Sequence, residues 1–255
     1  MSLLSTAHLN IQIGNINVCS DLNLECNSSE IWGILGRNGK GKTTLLHSLA
    51  GLREITSGDI YIRNKNILTL TRKQIAQQLG VLLQHHEDNF PCSVMETVIT
   101  GRHPHIGHWQ WESKKDDFLA RNALENVQLS HLSERPINQL SGGERQRVSI
   151  ATLITQNPDI MLLDEPNSHL DLKYQIQVLE TLCNQAKAQQ KLILMTLHDL
   201  NLAARFCDKL ILLPGEGEVL QGETNKLLNE DNLQQLYDYP IKRINSENYP
   251  VFSAK

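Results

Sequence analysis

What this sequence lacks narrows it before any motif is read. No apolar stretch approaches the roughly 18–20 residues needed to span a bilayer, so any membrane role must come through a partner. The start, Met1-Ser2-Leu3-Leu4-Ser5-Thr6, has neither the basic nor the long apolar part of a signal peptide. A basic excess is missing too: the net charge of −4 argues against a nucleic-acid binder, which needs cations to neutralise phosphates. Cys19, Cys26, Cys92, Cys183 and Cys207 are odd in number and scattered, with no C-x-x-C pair, which speaks against a disulfide framework or a zinc site. No short-period repeat, low-complexity tract or evident linker divides the chain. The expectation is a protein of the reducing cytoplasm.

What is present is an ordinary globular balance, 40% hydrophobic and 20% charged over 255 residues, enough for a substantial core. Through Leu24 the sequence alternates loosely, as in Leu9-Asn10-Ile11-Gln12-Ile13, which predicts antiparallel strands. Glu30 to Leu35 reads as a buried strand, Thr44 to Ala50 as a helix ended by Gly51, and Ile60-Tyr61-Ile62 as a strand after a polar turn. From about Gln84 to Asn157 apolar residues recur mostly at helical spacing. The apolar runs Ile160–Leu163, Leu192–Leu197 and Leu210–Leu213 then read as central parallel strands. The resulting expectation is an α/β fold with an N-terminal antiparallel β subdomain and an inserted helical subdomain. Residues 1–236 form one domain, with a core of about 1–84 and 158–236 and helices over about 85–157. The tail, 237–255, carries no assignable pattern.

Gly36-Arg37-Asn38-Gly39-Lys40-Gly41-Lys42-Thr43 matches G-x-x-x-x-G-K-[ST] and lies between a strand and a helix, where a phosphate-binding loop must lie. Its backbone N–H groups and the helix N-terminus, reaching to Thr44, suit the phosphates of ATP. Lys42 is placed to reach the β- and γ-phosphates, and the Thr43 hydroxyl to bind Mg2+. Arg37 and Lys40 are expected to point outward, with Lys40 free to add attraction for phosphate. Asp164-Glu165 follows an apolar strand at the sheet edge where α/β proteins bind ligands. In that context Asp164 suits Mg2+ and Glu165 an attacking water. Leu140-Ser141-Gly142-Gly143-Glu144-Arg145-Gln146 opens a further helix, Glu144 to Ile154. Ser141 with Glu144 can form a capping box, but two adjacent glycines weaken a first turn. They fit instead the close approach of a second anion, here from another copy of the chain, since this helix belongs to the inserted block.

Leu140 to Gln146 also resembles, letter for letter, the signature sequence of ATP-binding cassette (ABC) ATPases, and the likeness covers roughly Leu9 to Leu236. The resemblance implies a P-loop NTPase core with ATP and Mg2+ as ligands. It supplies roles that no single residue would reveal. His198 resembles the switch histidine, which contacts the γ-phosphate and links it to Glu165. Gln84 resembles the Q-loop glutamine, which touches magnesium and the attacking water. Ser168-His169-Leu170-Asp171 resembles the D-loop crossing the dimer interface. Two antiparallel copies would sandwich ATP between Lys42 of one and Ser141 of the other. One family feature is missing: Ile13 stands near the usual place of an aromatic ring for adenine.

Three runs resemble ATPases of importers for iron-siderophores, haem or cobalamin: Thr97 to His105, Leu163 to Asp171 (with Asn167 in place of the usual threonine), and His198 to Ala204. The resemblance implies a peripheral subunit on the cytoplasmic face of the cell membrane, driving a separate permease and indirectly serving a substrate-binding protein. The block from Gln84 to Trp111 is where such subunits receive the permease. His85, His86, Phe90, Trp109 and Trp111 give it an aromatic surface, although the tryptophans would equally serve as core packing. His103, His105 and His108 do not match a metal pattern, since Pro104 interrupts them and no carboxylate joins them. An ABC exporter subunit, or a cassette working in DNA repair or translation, are the alternatives. The latter usually carry coiled coils, zinc modules or paired cassettes, none of which is seen in this sequence.

Overall fold

The computed structural model describes residues 2–84, 92–107, 109–244 and 249–254. Its centre is a six-stranded sheet in the order β11 (Glu218–Glu223), β10 (Lys209–Gly215), β4 (Ile31–Gly36), β9 (Leu192–Thr196), β8 (Ile160–Leu163), β7 (Leu79–Leu82). All neighbours are parallel except β11, which pairs antiparallel with β10 along the edge. The apolar runs of the sequence have a direct cause here. In β9, Leu192 and Leu194 enter one core while Ile193 and Met195 enter the other, and β8 alternates in the same way. A strand covered on both faces shows no polar alternation.

One core lies between this sheet and a second, antiparallel one. The latter contains β1 (Ser2–Ile13), β2 (Ile16–Leu22), β3 (Glu25–Asn27), β5 (Ser57–Ile62) and β6 (Lys65–Asn66). Helix α1 (Lys42–Leu49) fills the space between, burying Leu45, Leu46 and Leu49. The other core joins the opposite sheet face to the helices. Helix α2 (Arg72–Gln78) precedes β7; α3 (Val94–Ile99), α4 (Lys114–Asn126) and α5 (Gly142–Gln156) lie between β7 and β8 in sequence and pack on one another. The core strands then alternate with α6 (Leu172–Ala188) and α7 (Leu200–Phe206), followed by α8 (Thr224–Leu227) and α9 (Glu230–Tyr237). Among the described residues no helix is long and apolar enough to cross a membrane.

The tail, which the sequence left unassigned, forms an antiparallel hairpin of β12 (Ile241–Ile244) and β13 (Val251–Ala254). It is fastened to α7: the Phe252 N–H donates to Asn201 Oδ1 at 2.8 Å, and Asn201 Nδ2 donates to the Phe252 carbonyl at 3.4 Å. Helix α5, expected to hold Glu144 to Ile154, starts at Gly142 after the Ser141 N-cap and ends at Gln156.

The helical block is knit by Arg102, whose Nε donates to Asp116 Oδ1 at 2.8 Å and whose NH1 donates to the carbonyls of Thr155 at 3.1 Å and Gln156 at 3.3 Å. His105 meets the Gln156 carbonyl at 2.9 Å, so it serves the same junction. His108 lies outside the described residues, and no group of three metal-ligating side chains occurs among the described ones. The Ser113 hydroxyl, with Arg102 beside it, holds the Asp116 carboxyl down at about 2. A carboxyl depressed in the folded state contributes stability above its unfolded value and loses it as pH falls. We therefore expect acid destabilisation between about pH 4 and pH 2 that is reduced in Asp116→Asn, read from urea midpoints across pH. Arg102→Ala, which strands a buried carboxylate, should cost about 3 kcal/mol in the same assay.

Candidate nucleotide site

The parallel strands bring their carboxyl ends to one edge, and four candidate segments leave from it. β4 ends at Gly36 and opens the phosphate loop. β8 ends at Leu163, before Asp164-Glu165. β9 ends at Thr196, two residues before His198, and β7 ends at Leu82, two before Gln84. The register holds these ends level, pairing Leu82 with Leu163, Leu163 with Met195, and Ile34 with Thr196. Residues separated by more than a hundred positions in sequence therefore meet.

In the loop, Gly41 adopts φ 94°, and any β-carbon there would strike Val18 of β2; the left-handed turn and the close approach both require glycine. Gly36 and Gly39 flank the bend, and Asn38 is exposed. α1 begins at once with Lys42, so its first N–H groups, which have no partner within the helix, face the loop. Lys42 is buried, and its Nζ donates to the carbonyls of Gly36 at 2.8 Å and Arg37 at 3.4 Å. Burial lowers its ammonium below the ordinary range, while Glu165 and Asp164 act in the opposite sense. Arg37 does point outward, 3.6 Å from Asp238 in an exposed ion pair. Lys40 does not: it is half-buried, with its ammonium against Gly215 at the end of β10. Thr44 is half-buried in the first turn of α1.

Asp164 is fully buried. Its Oδ1 accepts from Thr43 Oγ1 at 3.2 Å and Thr196 Oγ1 at 2.7 Å, while Oδ2 has no hydrogen-bond partner and lies 3.8 Å from His47 Nε2. A buried carboxylate oxygen left bare beside a threonine hydroxyl is a hard oxygen pair suited to Mg2+. Glu165 takes the left-handed backbone conformation, φ 49°. Its carboxylate is gripped from both sides: Gln84 Nε2 donates to Oε2 at 3.0 Å, and His198 Nε2 meets Oε1 at 2.5 Å. Gln84, Glu165 and His198 thus form one cluster above Asp164.

Ser141, Gly142 and Gly143 lie elsewhere, at the start of α5, whose packing partners include α3, α4 and β7. The capping box is present. The Glu144 N–H donates to Ser141 Oγ at 3.3 Å and the Ser141 N–H to Glu144 Oε2 at 2.8 Å. That backbone bond holds the Glu144 carboxyl below its usual range. A β-carbon on Gly143 would sit 3.1 Å from the His169 carbonyl oxygen, so the small residue also eases a tight approach inside the chain. Gly142 and Ser141 are exposed, and a β-carbon on Gly142 would only come into ordinary contact with His169 Cβ at 3.9 Å. Gln146 Nε2 donates to the Pro166 carbonyl at 3.2 Å, a second tie between this helix and the segment after Glu165.

Trp109 and Trp111 are 94% and 90% exposed, which excludes the packing role for them. His85, His86 and Phe90 lie outside the described residues. Ile13 is half exposed at the β1–β2 turn, opposite Ile16. Two side chains escaped sequence reading. His47 sits one helical turn after Thr43, a spacing that places both on one face. Thr196 carries only a weaker signal, a lone hydroxyl in an apolar strand two residues before His198.

Comparison with known proteins gives the same picture. The model for the ABC transporter family matches residues 19–168. The petrobactin import ATP-binding protein FpuD of Bacillus anthracis is 37% identical over 234 residues, covering 92% of this chain and 86% of the relative. The iron(3+)-hydroxamate import ATP-binding protein FhuC of Bacillus subtilis (strain 168) is 35% identical over 237 residues, covering 93% and 88%. A structure described as an inward-facing conformation of a metal-chelate type ABC transporter superimposes with a TM-score of 0.87 at 30% identity, covering 100% of this chain and 98% of that one. The cassette MJ0796, solved as a dimer in a post-hydrolysis state bound to ADP and Pi, gives a TM-score of 0.76 at 25% identity, covering 87% and 99%. Joined to the phosphate loop and the clustered carboxylates at one strand edge, these likenesses show that the chain belongs to the ABC transporter family, as one of its ATP-binding cassettes.

Proposed function

We propose that two copies of this chain close head to tail around two ATP molecules and drive a separate membrane permease that imports an iron chelate. ATP hydrolysis coupled to transport is the activity of this family. Iron-siderophore cargo is the reading favoured by the import proteins named above, within a class that also includes haem and cobalamin carriers. The observation that carries the mechanism is the Glu165 carboxylate held between Gln84 and His198.

In this reading the chain is a single cassette, with a core of about 1–84 and 158–236 and a helical subdomain over about 85–157. The loop Gly36 to Thr43, with Thr44, wraps the phosphates, and Lys42 swings from its own loop carbonyls to the β- and γ-oxygens. Thr43, Asp164 and Gln84 would hold Mg2+, which supplies charge neutralisation on the phosphate oxygens. Glu165 orients and polarises the attacking water, and His198 fixes Glu165 and senses the γ-phosphate. Such positioning and charge neutralisation account for most of the catalysis of phosphoryl transfer. The partner copy's Ser141 to Glu144 completes the site, because the exposed end of α5 offers a hydroxyl and helix N–H groups to an anion.

In this reading the permease docks in a groove of about 560 Å³ between α2 and residues 103–107 and 110–112, past Lys73, His103 and Trp111. It shares Arg72 and Ala76 with a 540 Å³ hollow floored by Leu79 and Val81 of β7. β7 leads within two residues to Gln84, so a push in the groove reaches the Glu165 carboxylate through one short strand. A cytoplasmic-face, peripheral location follows, with a substrate-binding protein acting on the far side of the permease.

Glu165→Gln should keep ATP binding, lower hydrolysis at least about 100-fold, and elute as an ATP-bound dimer in size-exclusion chromatography. A variant that stays monomeric and hydrolyses at the wild-type rate would remove Glu165 from the mechanism. Gly142→Asp tests the composite site. An acid at that helix position suits the helix dipole, so the protein should fold and bind ATP while hydrolysis is lost. Mixed with an equally inactive Lys42→Ala copy it should regain measurable hydrolysis, because one mixed-dimer site is intact. No recovery in any mixture would count against sites shared between copies.

A further inference from the structure

We propose that Thr196 is a positioning residue whose single hydroxyl sets the relation between Asp164 and Glu165. The inference rests on the reading of Glu165 and Asp164 given above and adds a residue that neither the phosphate-loop motif nor the signature sequence contains.

Thr196 ends β9, a central strand in which every residue is buried. A hydroxyl there costs free energy unless it is fully bonded, and valine would fill the same space without that demand. The hydroxyl is fully used. A hydroxyl has one proton to give and lone pairs to accept with, and both capacities are directed at the site. Oγ1 donates to Asp164 Oδ1 at 2.7 Å and accepts from the Glu165 N–H at 2.8 Å. An amide N–H only donates, which fixes the Glu165 bond and leaves the hydroxyl proton for Asp164.

Each bond has a geometric consequence. On the Asp164 side, Thr196 and Thr43 both bond Oδ1, so the carboxylate cannot rotate and Oδ2 is the oxygen left bare. On the Glu165 side, the bond occurs where the chain leaves the sheet. The Asp164 N–H still donates to the Leu82 carbonyl at 2.9 Å, within the ladder. The next N–H, that of Glu165, turns away to Thr196 as the backbone enters the left-handed region. A non-glycine residue holds that conformation only where its surroundings enforce it. The Thr196 hydroxyl is one such constraint, and the turn aims the Glu165 side chain at Gln84 and His198. Because His198 follows Thr196 by two residues, the same strand end carries both the clamp on the Glu165 carboxylate and the anchor of its backbone.

The test compares Thr196→Val, Thr196→Ala and Thr196→Ser in the full chain, with melting temperature recorded for each. Thr196→Val should lower kcat at least about tenfold while KM for ATP stays within about threefold, the split expected when orientation rather than binding is lost. Serine and alanine both lack the γ-methyl and differ by the hydroxyl alone, so comparing them isolates the hydroxyl even if the valine variant folds poorly. Thr196→Ser should hold kcat within about threefold of wild type and Thr196→Ala should not. A readout independent of turnover is the Mg2+ concentration that half-saturates ADP binding. It should rise at least about threefold in Thr196→Ala and remain near wild type in Thr196→Ser. If Glu165→Gln hydrolyses at the wild-type rate, the reading of Glu165 fails. If Glu165→Gln is inactive but serine and alanine behave alike in kcat or in the Mg2+ midpoint, the Thr196 inference alone is overturned.

Discussion

A carboxylate sealed in the core of a parallel sheet is the constraint on which the rest of this protein depends. Asp164 is wholly buried, and a buried charge is tolerated only where other groups answer it. Thr43 from α1 and Thr196 from β9 answer one of its oxygens. Those contacts tie the phosphate loop, the segment after β8 and the end of β9 into one rigid edge. Strands covered on both faces leave only their ends for polar chemistry, so the apolar runs and the crowded edge have a common origin. Lys42 belongs to the same balance: burial disfavours its charge and the two nearby carboxylates favour it.

Much of this was legible in the sequence, because the relevant signals are local. A glycine loop between a strand and a helix, and an acidic pair after an apolar run, report their own geometry. The segments that stayed silent did so for physical reasons. α2 has no buried residue, so no apolar period marks it. The β12–β13 hairpin is held to α7 by Asn201, a contact between residues about fifty positions apart that no local pattern encodes. Thr196 looks like one more β-branched residue in a strand, and only the register of β9 against β8 and β4 reveals what its hydroxyl meets. Gly143 taught the reverse lesson: a small residue fitting a foreign phosphate also fits a carbonyl of its own chain. Gln84 and His198 both reach the Glu165 carboxylate, a meeting of three strand ends that no local pattern encodes.

The helical block is built differently from the core. Besides the apolar core that its helices share with the sheet, its elements meet at one half-buried cation, Arg102, which touches the start of α4 and the end of α5.

The contacts at the head of α5 carry a mechanical consequence. Gly143 lies against the His169 carbonyl, and Gln146 holds the Pro166 carbonyl. The tip that would touch a neighbour's nucleotide is thus geared to the loop that follows the molecule's own Glu165. A displacement at that tip would press first on the segment just after Glu165. Each half of a closed pair would therefore register, through its own backbone, how well the other half's ATP is seated.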